Sequence, residues 1–327
     1  MSVKKKNKIL TIFKRLLLFM LSAVIVWIGF HHIMKLVEHY KYPARGQYIQ
    51  IEDKRMHVYT KGNGPKTIVL LTGLGTASPV LDFEPLMNEM SKHNRVVAIE
   101  PFGYGWSDMT DKNRTVEHIV EELRSALQQL NIKGPYVLMP HSISGIYSMY
   151  YAHEYPEEVE AVVGIDATLP AALAYFNESP PTMPRYMRYA APIGLTRLVI
   201  SLNSSGYLPL DSEGTYSEEN LAITKAMTAW NGYNNNVVQE ANELGDNVKK
   251  TARMSFPSDL PVLFFTRDDG RESRDGRSKF TFLQTQLTNN PSSTIIPLKG
   301  HHYLHWTKYK EISEAALNFM EDIKDKE

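Results

Sequence analysis

Residues 136–145 read Tyr-Val-Leu-Met-Pro-His-Ser-Ile-Ser-Gly, and this stretch decides the fold. Its first four residues form a continuous apolar run, which is typical of a strand buried on both faces of a parallel sheet. Residues 143–153 carry apolar side chains three and four positions apart and therefore predict a helix. Ser142 thus lies at a tight turn between a buried strand and a helix, although a serine also suits the N-cap of a helix.

Apolar runs on both sides of this stretch predict the rest of a sheet. Alternating apolar residues at 48–51 and 56–60 indicate a hairpin. Continuous apolar runs predict buried strands at 67–71, 95–99, 159–165, 262–265 and 294–298. Helical patterns lie between several of them, including one capped by Thr115 and one at 310–323. This alternation predicts an α/β fold with a mostly parallel, eight-stranded, doubly wound sheet and helices on both faces.

One interval departs from the alternation of strands and helices. Residues 167–259 contain helical and proline-rich pieces without a convincing strand. Connections of that length are uncommon in compact domains. We therefore predict a core formed by 45–166 and 260–325, with 167–259 inserted as a helical cap.

The first forty residues predict a membrane anchor. Residues 16–34 contain no Lys, Arg, Asp or Glu, and they are long enough to span a bilayer as a helix. The preceding segment, 1–15, is rich in lysine, which places it on the cytoplasmic side. No small-x-small cleavage pattern follows the apolar run, so we expect an uncleaved signal anchor. The prediction is a single-pass protein of the cell membrane whose folded domain is extracytoplasmic.

Composition excludes several classes of function. The chain has 327 residues, 43% of them hydrophobic, which is enough to bury a full core. Lys plus Arg and Asp plus Glu each total 36, so no basic excess is present to bind nucleic acid. Cysteine is absent, which rules out disulfides and thiol catalysis. The chemistry must come from oxygen and nitrogen side chains.

A catalytic serine needs hydrogen-bond donors for the oxyanion of a tetrahedral intermediate. Thr-Gly-Leu-Gly at 72–75 follows the first buried strand, and its glycines allow a backbone amide to point towards the serine. The predicted donors are the N–H groups of Leu74 and Ile143. An ordinary glycine turn after a strand remains an alternative for 72–75.

From about residue 48 to residue 320 the chain resembles the α/β-hydrolase family with a helical cap, of the AB hydrolase-1 type. The resemblance rests on the 72–75 turn, on the serine turn and on the segment Glu-Pro-Phe-Gly-Tyr-Gly-Trp-Ser-Asp at 100–108. That segment is similar to the family pattern Asp-x-x-Gly-x-Gly-x-Ser, with Glu100 in place of aspartate, and we assign it a structural role. Pro140 and Ser144 occupy the two glycine positions of the usual Gly-x-Ser-x-Gly motif.

The resemblance implies an acidic residue after the strand at 261–266. Asp269 is the preferred acid and Asp268 the alternate, because both follow that strand. Asp166, at the end of the preceding strand, is a third candidate because some relatives place the acid there. The acid would hold the imidazole tautomer of a catalytic histidine and stabilise its charged form.

The resemblance also implies a histidine after the last strand, where the chain reads Gly-His-His-Tyr-Leu-His-Trp at 300–306. The pattern His, aromatic, aliphatic, His favours His302 as the base, and the pattern Gly-His favours the alternate His301. The order Ser142, Asp269, His302 agrees with that of the family. The histidine cluster contains no carboxylate, and adjacent histidines cannot converge easily on one ion, so we predict neither a metal nor a cofactor.

These residues predict a serine hydrolase that cleaves a carboxylic ester, esterase- or lipase-like, through an acyl-enzyme on Ser142. The apolar cap favours a small acyl-containing substrate. Enzymes of this fold with an aspartate nucleophile would need Asp at position 142. Two alternatives remain, a prolyl-type aminopeptidase that uses acidic cap residues and a catalytically weak ligand-binding or signalling module. The candidate acids of the cap are Glu213, Glu218 and Glu219; the oligomeric state stays open.

Overall fold

The computed structural model describes residues 3–210, 214–268, 270 and 275–324. Its centre is one eight-stranded sheet. The strands are β1 (Gln47–Ile51), β2 (Lys54–Lys61), β3 (Thr67–Leu71), β4 (Arg95–Ile99), β5 (Tyr136–Pro140), β6 (Val159–Ile165), β7 (Val262–Arg267) and β8 (Thr294–Leu298). Their spatial order is β1-β2-β4-β3-β5-β6-β7-β8. β2 pairs antiparallel with β1 and β4, and the remaining pairs are parallel, which confirms the predicted fold class.

The central strands are buried on both faces, as their continuous apolar runs predicted. The strand at 294–298 was also predicted to be buried, but β8 is an edge strand with no fully buried residue, because it pairs on one side only. In β3, Val69 and Leu71 face one hydrophobic core, whereas Ile68 and Leu70 face the other. This alternation follows from the two-residue period of a strand. The sheet therefore separates two apolar layers, each of which needs a cover of helices.

Helices cover both faces of the sheet. The described helices are α1 (Val3–Lys41), α2 (Pro79–Asp82), α3 (Glu84–Met90), α4 (Val116–Gln129), α5 (Ser144–Glu154), α6 (Ala172–Phe176), α7 (Leu195–Leu202), α8 (Glu218–Asn231), α9 (Asn235–Thr251), α10 (Lys279–Gln284) and α11 (Tyr309–Lys324). Helices α4 and α5 pack on one core, and α3 and α11 pack on the other. Thr115 caps α4 by accepting a hydrogen bond from the N–H of His118, as predicted.

The elements described between β6 and β7 are all helical: α6, α7, α8, α9 and a 3₁₀ helix at Arg185–Tyr189. Helix α8 packs with Trp230 and Met227 against Leu81 and Trp106 of the core. Helix α9 extends Glu240 towards tyrosines beside the carboxyl ends of the strands. These helices lie over the edge of the sheet at which the site residues are found. The cap boundaries at 167 and 259 stay a prediction.

Helix α1 precedes the sheet, and most of its apolar side chains are exposed. The part Asn7–Lys41 is long and apolar enough to cross a membrane. A signal sequence has the same properties. Near its end, however, α1 packs on α7 and α8, because Glu38 accepts hydrogen bonds from both Arg197 and Trp230.

Candidate active site

Ser142 lies at a strained turn between β5 and α5. Its φ is +55°, in the left-handed region that residues with a side chain adopt only when the surroundings enforce it. The surroundings do so here, because the Ser142 carbonyl accepts hydrogen bonds from the N–H groups of Thr168 (2.7 Å) and Gly145 (3.1 Å). A Cβ atom at position 145 would lie 2.5 Å from the Thr168 carbonyl oxygen, so glycine is required there.

The two departures from the usual glycine motif have local explanations. Pro140 is the last residue of β5 and lies opposite Leu71 in the sheet. Ser144 directs its hydroxyl group at the Thr72 carbonyl oxygen and donates a hydrogen bond to it. That bond ties the start of α5 to the turn after β3. The close backbone contact that needs a glycine occurs one residue later, at Gly145.

Ser142, His302 and Asp166 form a continuous hydrogen-bonded chain. Nε2 of His302 lies 2.9 Å from Oγ of Ser142, and Nδ1 of His302 lies 2.5 Å from Oδ2 of Asp166. Asp166 is fully buried, whereas the His302 side chain is one-third exposed. A carboxylate on Nδ1 favours the tautomer in which Nε2 can accept the hydroxyl proton. The geometry is therefore suited to activating a serine hydroxyl.

The environment of Asp166 keeps its carboxyl group ionised. Burial by itself would raise the pKa of Asp166. The hydrogen bond to His302 and the charge of Lys279, whose Nζ lies 2.6 Å from Oδ1, outweigh burial and hold the pKa well below its usual range. The N–H of Arg267 donates a further hydrogen bond to Oδ1. Asp166 thus carries a negative charge beside His302 at neutral pH.

Within the described residues, the acid that contacts His302 is Asp166, the third candidate from the sequence. Asp268 is exposed, and its N–H extends the pairing of β7 with β8 by donating to the Leu298 carbonyl. Asp269 lies outside the described residues. The one signal for Asp166 in the sequence is its position directly after β6, and β6 lies next to β5 in the sheet.

The three neighbouring histidines serve different contacts. His301 is exposed and stacks on Trp306, with ring centroids 5.3 Å apart. His305 is buried, and its Nε2 lies 2.6 Å from Oδ2 of Asp82. Only His302 of these three contacts Ser142 in the described structure. The histidines therefore diverge from one another.

The loop after β3 passes closely over the serine turn. A Cβ atom on Gly73 would lie 2.8 Å from Nδ1 of His141 and 3.1 Å from Cβ of Ser142, which explains the glycine. In the described part of the chain, the N–H groups of Leu74 and Ile143 donate to no protein acceptor. Ile143 directly follows Ser142, and Leu74 directly follows Gly73, so both amides remain available as the predicted oxyanion donors.

A buried carboxylate from α9 stabilises this loop. Oε2 of Glu240 accepts a hydrogen bond from the Tyr104 hydroxyl (2.6 Å), and Oε1 accepts one from the Tyr147 hydroxyl (2.7 Å). The Tyr104 oxygen in turn accepts a hydrogen bond from the N–H of Gly75 (3.2 Å). Burial raises the pKa of Glu240. Sequence analysis missed this residue, because nothing in a helical pattern marks a carboxylate that points inward.

A cavity of about 380 Å³ lies between this loop and the helices that follow β6. On the core side it is lined by Leu74 and Tyr303, which flank the serine and histidine turns. On the other side it is lined by Val237 of α9, Thr228 of α8 and the segment 205–210. A small ligand in this cavity would lie beside the site.

The low pKa of Asp166 predicts how stability depends on pH. The pKa of an aspartate in an unfolded chain is about 4. Because the pKa of Asp166 is lower in the folded protein, the ionised carboxylate stabilises the fold. This stabilisation is complete at neutral pH and disappears as the pH falls below about 4 towards the folded pKa. We expect the thermal midpoint of Asp166→Asn, measured in detergent, to lie below that of the wild type near neutral pH and to approach it on acidification. A difference between the two thermal midpoints that does not change with pH would contradict this explanation.

Comparisons with known proteins agree with this architecture. Residues 66–309 match the alpha/beta hydrolase fold family. The uncharacterized protein YbdG of Bacillus subtilis (strain 168) is 28% identical over 315 residues, which cover 94% of this chain and 95% of that protein. A Vigna radiata epoxide hydrolase mutant has a TM-score of 0.65 at 17% identity, covering 86% of this chain and 99% of that one. The enol-lactonase from Burkholderia xenovorans LB400 has a TM-score of 0.60 at 14% identity, covering 84% and 99%. The chain therefore belongs to the alpha/beta hydrolase fold family.

Proposed function

We propose that this protein is a serine hydrolase that cleaves carboxylic esters through an acyl-enzyme on Ser142. The observation that carries the proposal is the hydrogen-bonded chain from Oγ of Ser142 through His302 to Asp166. Serine is a weak nucleophile until a neighbouring base accepts its proton. This arrangement supplies the base, and it supplies the carboxylate that orients the base.

The reaction would proceed in two halves. Nε2 of His302 removes the hydroxyl proton as Ser142 attacks the ester carbonyl, and the protonated imidazole then gives that proton to the departing alcohol. Water, deprotonated by the same nitrogen, then attacks the acyl carbonyl; the bond to Oγ of Ser142 breaks, and the imidazolium returns the proton to Oγ as the carboxylic acid leaves. The N–H groups of Leu74 and Ile143 would stabilise the negative oxygen in both halves. Glu240 and Tyr104 support this step by holding the N–H of Gly75, next to Leu74.

The nucleophile argues for acyl transfer and against epoxide opening. An aspartate-based hydrolase of this fold would need a carboxylate at the strained turn, whereas this chain has Ser142 there. The enol-lactonase among the fold neighbours bears the name of an enzyme of cyclic esters. Its likeness to this chain shows the fold alone. Ester chemistry is therefore proposed from Ser142 and its contacts.

The described acidic residues that could bind a substrate amine, as an aminopeptidase requires, are either exposed or already hydrogen-bonded. Glu218 and Glu219 are exposed in the first turn of α8, and Glu219 pairs with Arg45. Glu213 lies outside the described residues. Glu240 is buried, but both of its carboxylate oxygens already accept tyrosine hydroxyl hydrogen bonds. These contacts favour a neutral substrate over one with a free amine.

The proposed location in the cell membrane rests on the N-terminal helix α1. Residues 16–34 would span the cell membrane, with the basic segment 1–15 in the cytoplasm and the hydrolase domain outside. The exposed apolar side chains of α1 support this proposal, because a long apolar helix surface is unfavourable in water. The segment 167–259 would serve as the cap over the site.

A test of the proposed function is labelling of the detergent-solubilised full chain with a fluorophosphonate. We expect one phosphonyl adduct per chain, on the peptide that contains Ser142, together with turnover of p-nitrophenyl acetate and butyrate. Styrene oxide and proline p-nitroanilide are matched controls for the epoxide hydrolase and aminopeptidase alternatives, and we expect both to remain uncleaved. A folded wild type that neither reacts with the probe nor cleaves the esters would favour the ligand-binding alternative.

A further inference from the structure

Helix α7 has the opposite polarity to that of a helix on a water-soluble surface. Four of its apolar side chains, at positions three and four apart, point outward, while Arg197 and Thr196 are buried beside Ile200. Surface helices normally bury the apolar stripe and expose the charged one. The outward residues and their exposed fractions are Leu195 (44%), Leu198 (41%), Val199 (37%) and Leu202 (80%).

The buried arginine explains how this orientation is held. Both terminal nitrogens of Arg197 donate to the Glu38 carboxylate, at 2.7 and 2.6 Å, and its Nε donates to Nδ1 of His31 (3.1 Å). Glu38 and His31 belong to α1. This buried ion pair favours the observed orientation of the two helices, because turning Arg197 outward would remove the cationic partner of the Glu38 carboxylate. Helix α7 is therefore fixed against the N-terminal helix with its leucines facing away from the protein.

The contact between the two helices also fixes the depth of α7. A Cβ atom on Gly194 would lie 2.8 Å from the His31 side chain and 3.0 Å from Nε1 of Trp27. The start of α7 is thus level with residues 27–31 of α1, inside the proposed span of 16–34. If α1 crosses the bilayer, α7 lies at the depth of its last apolar turns.

The segment before α7 has the composition of a membrane interface. The 3₁₀ helix at Arg185–Tyr189 exposes Tyr186 (70%) and Tyr189 (53%), and both of its arginines are exposed as well. Tyrosine is enriched where lipid headgroups meet the apolar core, and basic side chains bind anionic headgroups. We define the outer cap surface as Tyr186, Tyr189, Leu195, Leu198, Val199 and Leu202.

We propose that the outer cap surface lies in the membrane leaflet next to residues 27–34 and that a lipid-dissolved ester reaches the site from there. The cavity beside the site is lined by Met183, just before the 3₁₀ helix, and by 205–210, just after α7. The residues that precede and follow the outer cap surface in the chain therefore line the cavity. The substrate class is an ester whose acyl or alkyl chain partitions into a bilayer. This inference rests on the proposed anchor and on the proposed ester hydrolysis.

The absence of cysteine allows a direct measurement of depth, because any introduced cysteine is the single thiol of the chain. Leu202→Cys reports on the outer cap surface. Val24→Cys, whose native side chain is 54% exposed, reports on the anchor, and Met109→Cys, with 45% exposure, reports on the core. Each full-length variant would carry a nitrobenzoxadiazole label in phosphatidylcholine and phosphatidylglycerol vesicles with or without brominated acyl chains. We expect bromine to quench the labels at 24 and 202 but not at 109.

The three labels separate the possible failures. Quenching at 24 without quenching at 202 would overturn the inference and leave the anchor intact. No quenching at 24 would overturn the anchor and the inference together. A label at 202 that is shielded from aqueous iodide but not quenched by bromolipid would show that a second copy of the chain covers this surface, which also contradicts the inference.

A kinetic comparison tests the route of the substrate. The double variant Leu198→Ser, Leu202→Ser is expected to lower hydrolysis of vesicle-dissolved p-nitrophenyl palmitate by roughly tenfold, since two apolar membrane contacts are removed. Turnover of water-soluble p-nitrophenyl acetate should stay within about twofold of the wild type, because the triad is untouched. Equal losses on both substrates would overturn the inference. Absence of acetate turnover in the wild type would instead count against ester hydrolysis itself.

Discussion

Replacing Ser142 by alanine is expected to abolish fluorophosphonate labelling and to lower kcat for p-nitrophenyl butyrate by about 10⁴-fold or more. The change removes the one oxygen that His302 contacts through Nε2, at 2.9 Å. No acyl-enzyme can then form, and the residual rate depends on water and the oxyanion donors alone. The measurement is kcat and KM for both proteins, with the labelled fraction determined by intact mass.

Ser148→Ala is the matched control for Ser142→Ala. Ser148 lies on α5, the helix that follows the Ser142 turn, and it is fully buried, but its hydroxyl donates to the Gly145 carbonyl within that helix. We expect this variant to be labelled to completion and to keep kcat within about threefold, because the lost hydrogen bond is local to α5 and contributes only about 1 kcal/mol to stability. If Ser142→Ala retained labelling, the nucleophile would have to be another residue.

Asp166→Asn is expected to lower kcat by roughly 10³- to 10⁴-fold with a much smaller change in KM. The amide keeps the shape of the side chain but cannot stabilise the imidazolium that forms when His302 accepts the proton. It also favours the wrong tautomer, because its nitrogen donates to Nδ1. Steady-state kinetics on protein shown to be folded by its thermal transition would measure the effect separately from stability.

The same substitution at the two sequence-preferred aspartates decides between the candidates. Nδ1 of His302 already lies against Asp166, and Asp268 is exposed, so neither Asp268→Asn nor Asp269→Asn is expected to change kcat by more than about threefold. His302→Ala should match Asp166→Asn or exceed it, whereas His301→Ala should be nearly neutral. A large loss in Asp269→Asn with a small one in Asp166→Asn would transfer the acid role to Asp269.

Sequence patterns were sufficient for the sheet and for the serine turn. The runs at 67–71, 95–99 and 159–165 coincide with the buried strands β3, β4 and β6, because full burial of a strand requires a continuous apolar run. The helix cap at Thr115 was equally visible, since a cap depends on residues three positions apart. Such features are local, and local sequence therefore predicts them.

The partner of His302 could not be identified by local reasoning. Asp268, Asp269 and Asp166 all follow buried strands, and each could cap the loop that begins there. Which one meets the imidazole depends on the order of β5, β6 and β7 and on the path of the loop after β8. Ionised Asp166 is stabilised there by Lys279, 113 positions further along the chain. No pattern within one segment reports such a contact.

The orientation of α7 likewise depends on contacts between distant segments. The four exposed apolar residues of α7 are three and four positions apart, and a surface helix ordinarily buries such a stripe and exposes its arginine. Only the tertiary structure shows the reverse, because Glu38 and His31 of the N-terminal helix hold Arg197 inward. The strands, the turn of Ser142 and the apolar N-terminal segment could be predicted from the sequence, since each depends on neighbouring residues. The tertiary structure decided which acid contacts the histidine and which face of α7 is exposed, since both depend on charges that meet only after distant segments pack.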